Sequence, residues 1–393
     1  MNHTIKTSAR AHVITLFVGL AMVLVALPTH AMTNGYYTYT VSNGNAAITK
    51  FDPSCSGALS ISNAFDGCPV TCIGDWAFSD CTNLTSVTIP EGVTRIGEKA
   101  FSLCEKLASV TIGNGVTCIG DSAFNACIRL SSLEIGSNVS VIGNSALQNC
   151  IKLARVTIPG SVTRIGDSAF NNCTQLTNIT IPDSVASVGN RVFFNCTNLS
   201  SVKIGNGVTG IDDYVFFNCT GLTNVEIGSS VSAIGNEAFQ NCAKLTSVTV
   251  PDCVTGIGSR AFFHCASLTR VEIGSGVTCI GNDAFRACDE LIGVYFRGEQ
   301  PKTGDGVFGS SCTSDVLVYH MSGKPGWNAQ FSGRPTALWQ TPGTAETSAP
   351  RVGLPDQPHA APRQIRHPGP LLWPFLLVPI AWGCWRYFRS SNR

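Results

Sequence analysis

Leu84 opens a short stretch in which Val87 and Ile89 flank Thr88, and the same order of apolar and polar residues returns every 23 residues. Apolar residues on one side and polar residues on the other make a short half-buried strand. The leucine recurs from Leu84 to Leu291, always three residues after a cysteine. A large apolar residue stands three before each cysteine: Phe78, Phe101, Phe124, Leu147, Phe170, Phe193, Phe216, Phe239, Phe262 and Phe285. Eight before it is Ile or Val, from Ile73 to Ile280.

Turn chemistry separates these apolar positions. Pro90, Pro159, Pro182 and Pro251 end strands, and Gly92, Gly113 and Gly115 belong to the same turn. Val93 and Ile96 form a second apolar pair, closed by Gly97. An Asp, Asn or Ser follows in nine of the ten copies, Glu98 being the exception. These residue types favour helix N-caps, so the Ala-Phe pair after them is expected to start a single helical turn.

No unit of this kind buries its apolar face alone, whereas stacking places Leu over Leu and Phe over Phe. The pattern predicts a right-handed leucine-rich repeat solenoid. A parallel β-sheet should form one face, with short turns and single helical turns on the convex side. Ten rungs over 73–296 at about 4.8 Å each would span roughly 50 Å. Asp212 replaces the usual Gly, and Val192 and Val215 replace Ala, so irregular rungs are expected there.

The flanks read differently. Residues 32–72 form an atypical first unit: Tyr36 to Val41 is a strand, Asn43-Gly44-Asn45 a turn, and Ala47 to Thr49 a return strand. This hairpin should cover the apolar end of the stack. Residues 297–339 read as a C-terminal cap containing the strand Val316 to Tyr319. Residues 1–31 have the basic, apolar, small-residue order of a signal peptide. Residues 340–368 are a Pro- and Ala-rich linker. Residues 369–387 are an apolar candidate transmembrane or sorting segment, and 388–393 a basic tail expected to stay inside.

Charge changes the picture by exclusion. Charged residues are 13% of the chain and the formal net charge is +1, so nothing steers it to nucleic acid. Eighteen cysteines in an exported chain suggest disulfides, but ten of them, Cys81 to Cys288, keep the 23-residue period. A metal or redox array would need His or carboxylate partners at ligand spacing, and none recurs beside the column. Buried core filling is the expected role. In the cap, Cys55, Cys68, Cys72 and Cys81 leave three readings open: a Cys55–Cys68 disulfide, free thiols, or a metal site. Cys118, Cys253 and Cys279 occur in single repeats and read as drift. The N-x-S/T triplets at Asn83 and Asn198 follow from the repeat itself.

Candidate chemistry is confined to the outward strand positions. Thr88, Thr111, Glu134, Arg155, Thr157, Thr180, Lys203, Glu226, Thr249, Arg270, Glu272 and Tyr295 would line one sheet face, a candidate partner-binding surface. No nucleophile–base pair stands out. His264 is the only histidine in the rungs and reads as a surface residue. Glu226 and Glu272 lie two rungs apart, roughly 10 Å, which overlaps inverting-glycosidase spacing. The glycines recur in a turn and do not form a phosphate loop. No enzyme, cofactor or metal is expected.

The unit I-P-x-x-V-T-x-I-G-x-x-A-F-x-x-C-x-x-L-T-x-V resembles the BspA-like class of leucine-rich repeats, over Val70 to about Phe296. That resemblance implies a secreted or surface-attached binding or adhesion scaffold for an extracellular protein or glycan, with no catalytic set to carry over. A structural spacer or self-associating matrix component is the alternative. The tail is similar to bacterial sorting segments, but it lacks a Pro-Glu-Pro signature and an L-P-x-T-G sequence.

Overall fold

A computed structural model describes residues 31–309 and 316–339. The expected signal segment, linker, apolar segment and basic tail lie outside them, apart from residue 31. Among the described residues no helix is long and apolar enough to cross a membrane.

Most rungs of the parallel solenoid contribute two strands. The longer comes from the Leu-x-x-Val-x-Ile stretch, as in Leu84–Ile89, Ser109–Ile112 and Ser132–Glu134. The shorter comes from the second apolar pair, as in Arg95–Ile96, Cys118–Ile119 and Val141–Ile142. Equivalent residues pair 23 apart, Val87 with Val110 and Ile96 with Ile119. The solenoid thus carries two parallel ladders, one more than the sequence pattern suggested.

Between the inner faces lies one core. Phe101, Leu107, Cys104 and their equivalents are fully buried. Consecutive phenylalanines stack: Phe193–Phe216 at 5.4 Å and Phe239–Phe262 at 5.1 Å between ring centroids. This is close to the rung spacing and within the favourable range for aromatic pairs.

The expected helical turn is absent; no helix occurs among the described residues. Two residues per rung are left-handed instead, for example Lys99 (φ 51°) and Leu103 (φ 62°), or Arg191 (φ 56°) and Asn195 (φ 60°). Left-handed residues cannot propagate a right-handed helix. Nor do the presumed N-caps cap. Asp121 Oδ1 accepts the backbone N–H of Asn144 in the next rung at 2.8 Å, and Asp167 Oδ1 accepts that of Asn190 at 2.8 Å. These side chains tie rungs together.

The long-strand ladder is interrupted where the regular run carries proline. At the turn after the strand, Gly113 N donates to Ile89 O and Gly205 N to Ile181 O, each at 2.9 Å. Pro159, Pro182 and Pro251 occupy the same position and have no N–H to give. Glycine also lets the turns approach closely: a Cβ on Gly113 would lie 2.8 Å from the carbonyl carbon of Pro90. Residues 155–158 form no named strand, and Asn224–Glu226 is not paired with Ser247–Val250. The sheet therefore falls into three segments. The short ladder has its own break, between Ser187–Val188 and Ala233–Ile234, with only an isolated Ile211–Ile234 bridge. It falls at the rung where Asp212 replaces glycine, so the expected irregularity is present and has a steric cause.

At the N-terminal end the hairpin Tyr37–Ser42 and Asn45–Phe51 turns through Asn43 (φ 51°) and Gly44 (φ 76°), the backbone a two-residue turn demands. Its second strand pairs in parallel with Cys68–Ile73. At the other end Gly293–Phe296, Leu317–Met321 and Arg334–Trp339 pair in parallel, and Phe331 and Trp327 pack on Phe296.

Candidate partner-binding surface

Because strand side chains alternate, every second residue of the long ladder points outward. The register groups the candidate residues by sheet segment. Thr88, Thr111 and Glu134 align in the first. Thr180, Lys203 and Glu226 align in the second, and Thr249, Glu272 and Tyr295 in the third, with Arg270 beside them. Arg155 and Thr157 stand on the unpaired rung and line a depression of about 550 Å³ with Asn178 and Thr180. A second depression, of about 470 Å³, covers the other proline break and is lined by Glu226, Ile227, Val248, Pro251 and Arg297.

The first two groups are sparse. Thr111 Oγ1 donates to Glu134 at 3.5 Å, and Lys203 stands 3.9 Å from Glu226, both on exposed side chains where such pairs contribute little. The third group is denser. Arg270 donates from Nε and Nη2 to Glu272 Oε1 at 3.2 and 2.9 Å, and Arg297 Nη2 donates to Glu272 Oε2 at 2.8 Å. Partial burial would raise the Glu272 pKa, but the bonds from Arg270 and Arg297 outweigh it and hold the carboxyl below its ordinary range. The Arg270 guanidinium lies 3.7 Å from the Tyr295 ring centre. Tyr295 stacks on Tyr319 at 4.6 Å and meets Trp339 edge-on at 5.4 Å. Gly293 makes room for this: a Cβ there would lie 2.9 Å from the Tyr295 ring.

Arg297, Tyr319 and Trp339 were not legible as site residues. Tyr319 pairs with Tyr295 across 24 residues, one off the repeat period, and Trp339 belongs to the last strand of the cap.

Elsewhere His264 is exposed, occupies a left-handed position (φ 57°) and meets Asn241 Oδ1 at 3.2 Å. That column is otherwise mostly Asn, a residue that tolerates this backbone. The cysteine column is buried, as expected, and it also bonds. Cys196 Sγ donates to Phe170 O at 3.2 Å, and Cys219 Sγ to Phe193 O at 3.2 Å. Burial pushes the Cys196 and Cys265 thiols up to about 12, so they stay protonated at neutral pH. Cys55, Cys68 and Cys72 are free and partly buried.

Residues 60–177 and 163–292 match the sequence profile of the BspA type leucine rich repeat region (6 copies). The chain belongs to the BspA-type leucine-rich repeat family. Proteins of this family are surface proteins that generally serve as binding scaffolds. A leucine-rich repeat protein from Bacteroides ovatus ATCC 8483 has a similar fold, with a TM-score of 0.55 and 24% identity over 79% of this chain and 100% of its own. A T. pallidum leucine rich repeat protein is 25% identical over 55% of this chain and 91% of its own, with a TM-score of 0.42. A leucine rich cell surface protein from Faecalibacterium prausnitzii A2-165 is 27% identical over 70% and 97%, with a TM-score of 0.38. No curated protein matches the sequence.

Proposed function

We propose that this chain is a non-enzymatic surface or secreted scaffold that recognises an extracellular protein or glycan through its long-strand face. One observation carries this reading: outward side chains stand in parallel register from Thr88 to Tyr295, interrupted only at the prolines. Such a face offers a partner repeated, pre-ordered contacts, and little ordering entropy is lost on binding. The acidic pair Glu226 and Glu272, whose spacing overlaps that of inverting glycosidases, does not suit glycoside hydrolysis. Glu272 is ionised and held by two arginines, so it is a poor proton donor. Residues 1–31 would direct export, and residues 369–387 would anchor or sort the chain.

The test is a pull-down of surface proteins and glycans with the exported chain, followed by saturation binding. A saturable partner whose affinity falls when Thr180, Lys203 and Glu226 are replaced together supports the reading. The absence of any saturable partner overturns it. A spacer or self-associating matrix role is favoured by the uncharged monotony of Thr88, Thr111, Thr180 and Thr249; concentration-dependent self-association in sedimentation would select it.

A further inference from the structure

We propose that a second face of the rungs, on the turn between the short strand and the next long strand, joins two copies of this chain as a closed, antiparallel dimer. The inference is independent of the long-strand face and of what that face binds.

Composition marks the place. In three consecutive rungs the residue before the buried Ala-Phe pair or its equivalent is Ser122, Ser145 and Ser168, and the residue after it is Asn125, Gln148 and Asn171. The next five rungs replace the first row by Arg191, Tyr214, Glu237, Arg260 and Asp283. They replace the second by Phe194, Phe217, Gln240, Phe263 and Arg286. Phe194, Phe217 and Phe263 stand half-buried, beside the phenylalanines that already fill the core. Phe194 stacks on Phe217 at 4.7 Å, and the Arg191 guanidinium lies 4.8 Å from the Tyr214 ring centre. Aromatic residues and arginine are enriched at protein interfaces, and side chains ordered in advance lose little freedom on docking.

The order of charges selects the occupant. Along the first row the signs run positive, neutral, negative, positive, negative, so neither an acidic nor a basic partner is complementary to its whole length. Glu237 accepts the Tyr214 hydroxyl at 3.4 Å and forms no ion pair among the described residues. Arg260 turns instead to Asp283, with Nε 3.7 Å from Oδ2. A partner must present the opposite order at the same rung spacing, and the same two rows run backwards do so.

A two-fold axis midway between the rungs of Glu237 and Arg260 lays each row on its own reverse. Glu237 then opposes Arg260 of the second copy, and this happens twice. Tyr214 opposes Asp283, and Phe217 opposes the aliphatic stem of Arg286. The flanking Asp212 and Asp213 fall opposite Gly281 and Asn282. Neighbouring settings are worse. An axis on the rung of Glu237 or of Arg260 sets that charge against itself, and one on the rung of Tyr214 does the same to Asp212 and Asp213. An axis between Tyr214 and Glu237 sets Arg191 against Arg260. Opposed like charges suppress association. Five rungs at about 4.8 Å make a face roughly 20 Å long. That is the small end of specific interfaces, so association in the micromolar range is expected. The contact closes at two copies, whereas a matrix component would add copies without limit.

The experiment is sedimentation of the exported full chain over a concentration series reaching the high micromolar range. A monomer–dimer equilibrium is expected. Glu237→Arg and Arg260→Glu should each stay monomeric over the same range, because each sets like charges face to face twice. An equimolar mixture of these two variants should pair again, because every opposed charge is then complementary; variants that had merely misfolded would not. Phe217→Asn, which installs the residue found at Asn171, should weaken the dimer by about tenfold or more, as for an interface hot spot. Replacing Thr180, Lys203 and Glu226 together should leave the dimer unchanged, which separates this face from the long-strand face. A monomer throughout the series, growth past two copies, dimers that persist in both charge variants, or a mixture that stays monomeric would overturn the inference.

Discussion

Pro159 leaves the carbonyl of Ile135 without the backbone donor that Gly113 supplies to Ile89. Pro159→Gly should restore that donor and pull the rung of residues 155–158 into the sheet. One added hydrogen bond contributes about 1 kcal/mol net, and loss of the proline costs about 0.4–1 kcal/mol through the unfolded chain. Global stability should change by less than about 1 kcal/mol, by this offset. Amide exchange at Val156 and Ile158 should slow markedly. Unchanged exchange in the variant would mean that proline is not what divides the sheet.

Close approach between rungs predicts a contrast between two neighbouring glycines. A Cβ on Gly166 would lie 2.6 Å from the backbone nitrogen of Asn144, whereas Gly160 has nothing within 4 Å. Gly166→Ala should destabilise by about 1–3 kcal/mol. Gly160→Ala should be neutral or stabilise by about 0.4–1 kcal/mol. Chemical denaturation of the two single variants decides it; equal midpoints would contradict the steric account. The same contact explains why Asp212 opens the short ladder.

The column cysteines should behave as protected donors. In the native chain an alkylating agent should label the exposed Cys253 and Cys279 and spare Cys196 and Cys265, whose thiols are pushed up to about 12 by burial. After denaturation all should react. Cys196→Ala removes the bond to Phe170 O and leaves a small void, and should cost about 1–3 kcal/mol. Labelling of Cys196 under native conditions, read by peptide mass, would refute the protected state.

Glu272 gives the third group of the long-strand face a pH signature. Its folded-state pKa is lowered, so its contribution is present above the unfolded value of about 4.3 and is lost as pH falls through the folded value. The difference in melting temperature between the wild-type chain and Glu272→Gln should therefore be largest near neutrality and vanish in strong acid. Partial exposure of both arginines keeps the contribution to at most about 1 kcal/mol. A difference that grew on acidification would contradict the two-arginine clamp.

The repeat was legible because its signals agree across ten copies: Leu84 to Leu291, Phe78 to Phe285 and the glycines between them reinforce one another. What failed was local. Asp121 and its equivalents look like N-caps because the same oxygen that can cap a helix can bond the next rung, and sequence does not say which N–H is nearer. The left-handed position at Lys99 carries no residue preference strong enough to reveal it, and the Asn-rich column that includes Leu103 reads equally well as an ordinary polar turn. On the face, Arg270, Glu272 and Tyr295 were found by period, while Tyr319 and Trp339 were missed because the cap abandons that period.

The bond from Cys219 to Phe193 has a further consequence. Most rungs complete their predecessor with the same thiol, an Asx oxygen and a stacked ring, Leu147, Glu98 and Ser259 being the departures, so most junctions in the regular run are nearly interchangeable. Duplication or deletion of one 23-residue unit between two such junctions would leave every bond type intact. The number of rungs is therefore open to change by unequal recombination, while the proline breaks and the aromatic end hold particular places in the order that such exchange would shift or lose.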